Sequence, residues 1–399
     1  ISTSEGQIAI APGYLQNDWS ENGRHYFHYK MDAPMVNFYS FLSASHEVKR
    51  EAYKGINIEI YYDEKHAWNL DTMVQSVKDS LDYFGSAFGP YQHRQVRIIE
   101  FPGYRSFAQS FANTVPYSED IGFTADLRDP DDIDYVYYVT AHEMAHQWWG
   151  HQLGAANVQG SAILSESLSQ YSALMVLQKR YGANKMRKFV KYELDRYLMG
   201  RSNEILEEMP FMRSQNQNYI HYRKGSVVMM ALLDRLGESR LNSALKSLLE
   251  KFRYQSNPFP TTLDLLAELN AVATPEEQGF IADLFTRITL YDLKITNVES
   301  TQVNEEFEVT LTITAAKYEA DGEGRETEQP LNELVDIVLF TVNPDKLQED
   351  NQILYKAKHK LTSGENKITI TVPEMPAYAG VDPFVKLIDR DGNDNIKAL

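Results

Sequence analysis

The sequence predicts an α+β protein, with a mainly helical domain preceded by a few strands and followed by a β-sandwich. Three observations carry this expectation. Residues 24–62 are rich in β-formers and in part alternate in polarity. From Asn69 to Leu284, long stretches place apolar residues at helical spacing. Beyond Leu290, short strand-like runs return at the spacing of a sandwich. The expected boundaries are 1–62 for the opening strands, 63–288 for the helical domain and 289–399 for the sandwich.

In chain order, residues 1–20 read as polar and irregular. Strand character follows at 24–30, 35–41 and 55–62. Residues 69–88 read as a helix, because Leu70, Met73, Val74, Val77, Leu81 and Phe84 form one stripe, with Asn69 or Asp71 available as its cap. A short apolar strand is expected at 96–101, then a stretch of mixed polarity and strand character over 109–123. Asp131 to Asp134 place acidic residues at the start of a helix expected over 135–149. Further helices are expected at 162–181, 225–236, 241–252 and 262–284, with Pro258 and Pro260 marking a link. The sandwich strands are expected at 293–295, 307–313, 335–342, 353–359, 367–372 and 384–388, and Asp389 to Asp394 reads as a turn rather than a calcium loop.

Composition narrows the function. The 399 residues are 43% hydrophobic and 24% charged, ordinary for a globular protein. A formal net charge of −17 argues against nucleic acid as a partner, since a phosphate backbone needs a basic surface. There are no cysteines, so disulfides and thiolate metal sites are ruled out. No apolar run reaches the length of a membrane span, and the chain begins with Ile1 rather than Met, as expected for a piece of something longer.

The stretch that carries chemistry is His-Glu-Met-Ala-His-Gln-Trp-Trp-Gly, residues 142–150. On a helix His142 and His146, four apart, share a face and can grip one Zn²⁺. Two imidazoles and one carboxylate leave a position for water, and Glu143 is placed to take that water's proton. The third ligand is expected on another helix, where Glu166 is the candidate. His151 falls off the ligand face.

At these residues the chain resembles the aminopeptidase N family of gluzincin zinc aminopeptidases, which includes leukotriene hydrolase. The tail Gln147-Trp148-Trp149-Gly150 is typical of that family, and Leu164 to Tyr171 resembles its segment around the glutamate ligand. His221-Tyr222-Arg223-Lys224-Gly225 is similar to the family's Tyr-Glu-Lys-Gly, which implies Tyr222 as oxyanion donor, with Tyr219 as substitute. Glu119-Asp120-Ile121-Gly122 resembles its Glu-Asn-x-Gly, which implies Glu119 as anchor for a substrate's α-amine, next to an edge strand that pairs with the substrate backbone. The Gly-Ala-Met part of that motif is absent. Nineteen residues separate His146 from Glu166, where the family usually has eighteen. Nineteen is the spacing of thermolysin-like endopeptidases, and one inserted loop residue accounts for it.

The resemblance implies a thermolysin-like catalytic domain over 63–288, a remnant of an N-terminal β domain before it, and Zn²⁺ as cofactor. Gly150-His151-Gln152 and Asn157-Val158-Gln159-Gly160 look like compact bacterial members associated with ABC-transporter permeases. That implies attachment to membrane segments outside this sequence and a periplasmic location, with a cytoplasmic one as alternative. The leading function is a zinc metallo-aminopeptidase acting on peptides. The rivals are a zinc endopeptidase or oligopeptidase, and a peptide-binding module that has lost turnover.

Overall fold

The computed structural model describes residues 1–129 and 132–399. Contacts divide the chain into two compact units, Ile1–Ala156 with Lys246–Pro260, and Asn157–Leu245 with Thr261–Leu399.

The first unit opens with β1 (Ser2–Ser4), β2 (Ile8–Ile10), β3 (Tyr14–Glu21) and β4 (Arg24–Lys30), followed by β5 (Leu42–Ala44), β6 (Glu47–Tyr53) and β7 (Ile56–Tyr62). Residues 1–20, expected to be irregular, thus hold three strands. β3 is exposed at every residue after Tyr14, so it lacks the alternation that reveals a half-buried strand. Residues 35–41 form none, and Val36, Phe38, Tyr39 and Phe41 are exposed. Next come α1 (Leu70–Ala87), β8 (Gln95–Phe101), β9 (Thr114–Ser118) and α2 (Tyr135–Ala145).

The main sheet has the order β6-β7-β8-β9, with β7, β8 and β9 parallel. β8 is buried at every position, as a central parallel strand should be. Even its arginine is inside: Arg97 donates to the Ala11 carbonyl at 3.0 Å and to Thr114 Oγ1 at 2.8 Å. This ties the N-terminal segment to the sheet. The outer edge of β9 is covered by residues 107–111, through Gln109 N–H to the Pro116 carbonyl and Ser118 N–H to the Phe107 carbonyl.

α1 buries the expected stripe. Asn69 stands at its N-cap position without capping, because its amide donates instead to the carbonyls of Gly122 and Ala125 at 2.7 and 2.9 Å.

The second unit holds α3 (Leu168–Tyr181), α4 (Ala183–Ser202) and α5 (Gly225–Leu236). α6 (Glu238–Phe252) is divided between the units in sequence. α7 (Thr262–Val272) and α8 (Pro275–Phe285) replace the single helix expected over 262–284. Thr274 stops the run as an N-cap, with Pro275 in the first turn and a capping box to Glu277.

β10 (Ile288–Val303), β11 (Glu306–Ala320), β12 (Glu326–Gln329) and β15 (Gly364–Val372) form one antiparallel sheet. β13 (Asn332–Phe340), β14 (Ile353–Thr362), β16 (Tyr378–Val381) and β17 (Ile396–Ala398) form a second. Val309, Leu311, Ile313 and Ala315 alternate inward along β11. The strand expected at 384–388 is a turn. Asp382 accepts the backbone N–H groups of Lys386 and Leu387, and Val385 has φ of 55°. Among the described residues, no helix is long and apolar enough to cross a membrane.

Candidate metal centre and active-site residues

α2 is buried from Val136 to Ala145, so its polar side chains lie inside protein rather than on a wet face. Asp134 caps it by accepting the Tyr137 N–H at 2.9 Å; Asp131 lies outside the described residues. The Nε2 atoms of His142 and His146 are 3.1 Å apart, with the rings nearly perpendicular at 88°. One ligand atom from each of His142, Glu143 and His146 falls within 4.8 Å of the others.

His146 Nδ1 lies 3.0 Å from the Trp149 carbonyl oxygen. A carbonyl only accepts, so Nδ1 carries the proton and Nε2 of the neutral ring presents its lone pair towards His142. That is the tautomer a metal ligand requires. Two imidazoles beside a carboxylate, in a chain without thiols, suit an ion such as Zn²⁺.

The helix was expected to run to Trp149 but ends at Ala145. The following residues are drawn into other contacts. Trp148 donates to the Gly89 carbonyl at 2.9 Å, and the rings of Trp148 and Trp149 pack edge-on against Phe84 and Phe88. Gln147, almost fully buried, accepts the Asn113 N–H at 2.9 Å and donates to Ser110 Oγ at 2.7 Å and to the Phe111 carbonyl at 2.8 Å. Ser110 Oγ in turn donates to the Glu143 carbonyl at 2.9 Å. The Gln-Trp-Trp tail therefore fastens the end of α2 to the hairpin leading into β9. His151 Nε2 reaches the Ser110 carbonyl at 3.2 Å, and burial pushes its pKa down to about 4; burial does the same to His93.

Glu119 follows β9 directly, at the start of a π-helical turn, Glu119–Phe123. The structure groups it with His66 and Glu100 rather than with the histidines of α2. Its Oε1 accepts the Gly103 N–H at 2.8 Å.

Glu166 and Tyr222 belong to the second unit. Each lies on a π-helical turn that opens a helix, Ile163–Ser167 before α3 and Tyr219–Lys224 before α5. The two turns are joined. Ser167 Oγ donates to the His221 carbonyl at 2.5 Å, and Gln170 donates to Ser226 Oγ at 3.0 Å and weakly to the Tyr222 carbonyl at 3.4 Å. Burial lowers the pKa of His221, against the opposing charge of Glu166. At Gly225 a Cβ would lie 2.5 Å from Ser167 Oγ, so glycine permits this approach.

Two ion pairs with buried acids follow Tyr222 directly. Arg223 meets Glu193 at 2.7 Å, and Lys224 meets Glu208 at 3.4 Å. Burial pushes Glu193 up to about 7 and Lys224 down. Neither acid was marked by the sequence, since an isolated Glu within a helix or loop carries no motif. Gln147 stands out in the sequence only as part of the family-like tail, and its clamp on residues 110–113 leaves no local signal.

Two imidazoles one helical turn apart with a carboxylate beside them are an arrangement found in metal-dependent hydrolases. The peptidase family M1 domain model matches residues 68–284, more than half of the chain. The chain therefore belongs to peptidase family M1. It is 23% identical over 222 residues to endoplasmic reticulum aminopeptidase 2 of Homo sapiens, covering 51% of this chain and 22% of that protein. It is 27% identical over 232 residues to aminopeptidase M1-B of Oryza sativa subsp. japonica, covering 55% of this chain and 25% of that protein. The match thus spans about a quarter of the length of these curated relatives.

Gly225→Ala is expected to force the two π-helical turns apart and cost about 1–3 kcal/mol, as overpacking does, read as a lowered urea midpoint. A wild-type midpoint would contradict the packing argument. For His93 and His151 the folded pKa lies below the ordinary 6.5, so the unfolded chain takes up protons first as pH falls. Stability present above pH 6.5 is therefore lost on the way down to about pH 4, by up to about 3 kcal/mol per histidine. Urea unfolding between pH 7 and 4.5 should show this slope, flattened in His93→Gln; an equal slope in the variant would refute the assignment.

Proposed function

We propose that this chain is a zinc-dependent metallo-aminopeptidase that removes N-terminal residues from peptides. The observation carrying this reading is the convergence of His142 and His146 Nε2 beside Glu143, within the segment that matches peptidase family M1. Both relatives are named as aminopeptidases, which supports the exopeptidase assignment.

In this reading His142, His146 and Glu166 hold the zinc. When bound, the ion supplies Lewis acidity that polarises a peptide carbonyl and lowers the pKa of water. Glu143 takes the proton from the attacking water and hands it to the departing nitrogen, so the C–N bond breaks with a neutral amine leaving. Tyr222 donates a hydrogen bond to the oxygen that gains charge, and Glu119 accepts from the substrate's α-ammonium. Attachment to permease-type membrane segments and an extracytoplasmic location belong to the same proposal, and rest on the resemblance at Gly150-His151-Gln152 and Asn157 to Gly160.

A second reading, a zinc endopeptidase or oligopeptidase, has two observations in its favour. One is the nineteen-residue interval before Glu166. The other is that residues 107–111 already pair with the outer edge of β9, the strand leading to Glu119.

Glu143→Gln is expected to retain zinc and lose turnover by at least about a hundredfold, as loss of a general base does. Turnover at the wild-type rate would refute the base assignment. Mass spectrometry of a digested peptide mixture should show stepwise loss of residues from free N-termini and none from acetylated ones. Internal cleavage of both forms would favour the second reading.

A further inference from the structure

A second set of metal-ligating groups lies in the first unit, on elements other than α2. His66 comes from the short turn Glu64–His66 after β7, Glu100 from β8, and Glu119 from the turn after β9. One ligand atom from each lies within 4.8 Å of the others. His66 Nδ1 pairs with Glu100 Oε1 and stands 3.9 Å from Glu119 Oε2.

The orientation of the carboxylates separates this cluster from a chance gathering of acids. In each, the oxygen turned away from His66 is held by a backbone donor. Asp63 N–H donates to Glu100 Oε2 at 2.6 Å, and Gly103 N–H donates to Glu119 Oε1 at 2.8 Å. That leaves the other oxygen of each carboxylate on the side of the His66 ring nitrogen. Outer hydrogen bonds that fix ligand orientation in this way are the usual supporting shell of a metal site. Glu100 forms a buried wall at 5% side-chain exposure, while His66 and Glu119 keep 25% and 33%, which leaves a path for an ion to enter. One imidazole with two carboxylates favours zinc or a similar transition ion over magnesium or calcium.

We propose that His66, Glu100 and Glu119 form a second divalent-cation site, distinct from the centre on α2. An ion there replaces the direct contact between His66 Nδ1 and Glu100 Oε1. Because Glu119 is common to both, and resting on the aminopeptidase reading above, this ion and the substrate's α-ammonium exclude each other. Excess metal then acts as a competitive inhibitor.

The test is a titration of zinc-free full chain with Zn²⁺, reading bound metal per chain after gel filtration. Wild type should take up two equivalents. His66→Ala and Glu100→Gln should each take up one, and His142→Ala/His146→Ala should keep the other. A single equivalent that survives His66→Ala, or two equivalents retained by both cluster variants, overturns the site. A single equivalent that only His66→Ala removes supports this site and sinks the α2 reading instead. In the activity arm, zinc beyond the first equivalent should raise KM for a free-amine peptide at unchanged kcat in wild type and not in His66→Ala. Equal inhibition in both proteins overturns the exclusion.

Discussion

The hydrogen bond from His146 Nδ1 to the Trp149 carbonyl sets what the centre on α2 can do. It assigns the ring proton to one nitrogen and turns the other, with its lone pair, towards His142. The regular helix stops after Ala145, and the turns beyond it, with the Trp148 and Trp149 N–H groups on the Ala145 carbonyl, carry the Trp149 carbonyl to His146 Nδ1. That stop is enforced by burial. Trp148 and Trp149 pack on Phe84 and Phe88, and Gln147 uses its whole amide on residues 110–113. A lost Gln147 contact would thus act on His146 through the backbone rather than by touching it.

A comparable device recurs in the second unit. Glu166 and Tyr222 stand on π-helical turns, where one extra residue per turn re-aims side chains without breaking the helix that follows. Ser167 and Gln170 lock one turn to the other, and Gly225 gives them room. Beneath lie the pairs Arg223–Glu193 and Lys224–Glu208, whose acids are almost fully buried. Buried ion pairs add little net stability, since desolvation offsets their attraction. Removing one partner is costly, so they hold the geometry of residues 219–224 in place.

How much of this was legible in the sequence depended on whether a residue's role left a local pattern. The α1 stripe and the bounds of α5 were readable because helical burial repeats at a fixed interval. The His142–Glu143–His146 trio was readable because its chemistry requires fixed spacing within one helix. β3 was invisible because both its faces are exposed, and the strand expected at 384–388 failed because a single carboxylate, Asp382, bends the backbone there. The break at Thr274 was in principle readable from Thr-Pro-Glu-Glu, a start signal overridden by the apolar residues on either side. Gln147's partners and the company Glu119 keeps with His66 and Glu100 depend on residues tens of positions away, and local pattern does not report on them.

The proposed function requires one metal ion shared by the two imidazoles whose Nε2 atoms converge on α2. X-ray absorption at the zinc edge, on protein loaded with one equivalent, tests it most directly. A shared ion gives a first shell of light nitrogen and oxygen donors with the multiple-scattering signature of two imidazoles, reduced to at most one in His146→Ala. A shell with a single imidazole in wild type, unchanged in His146→Ala, would contradict it.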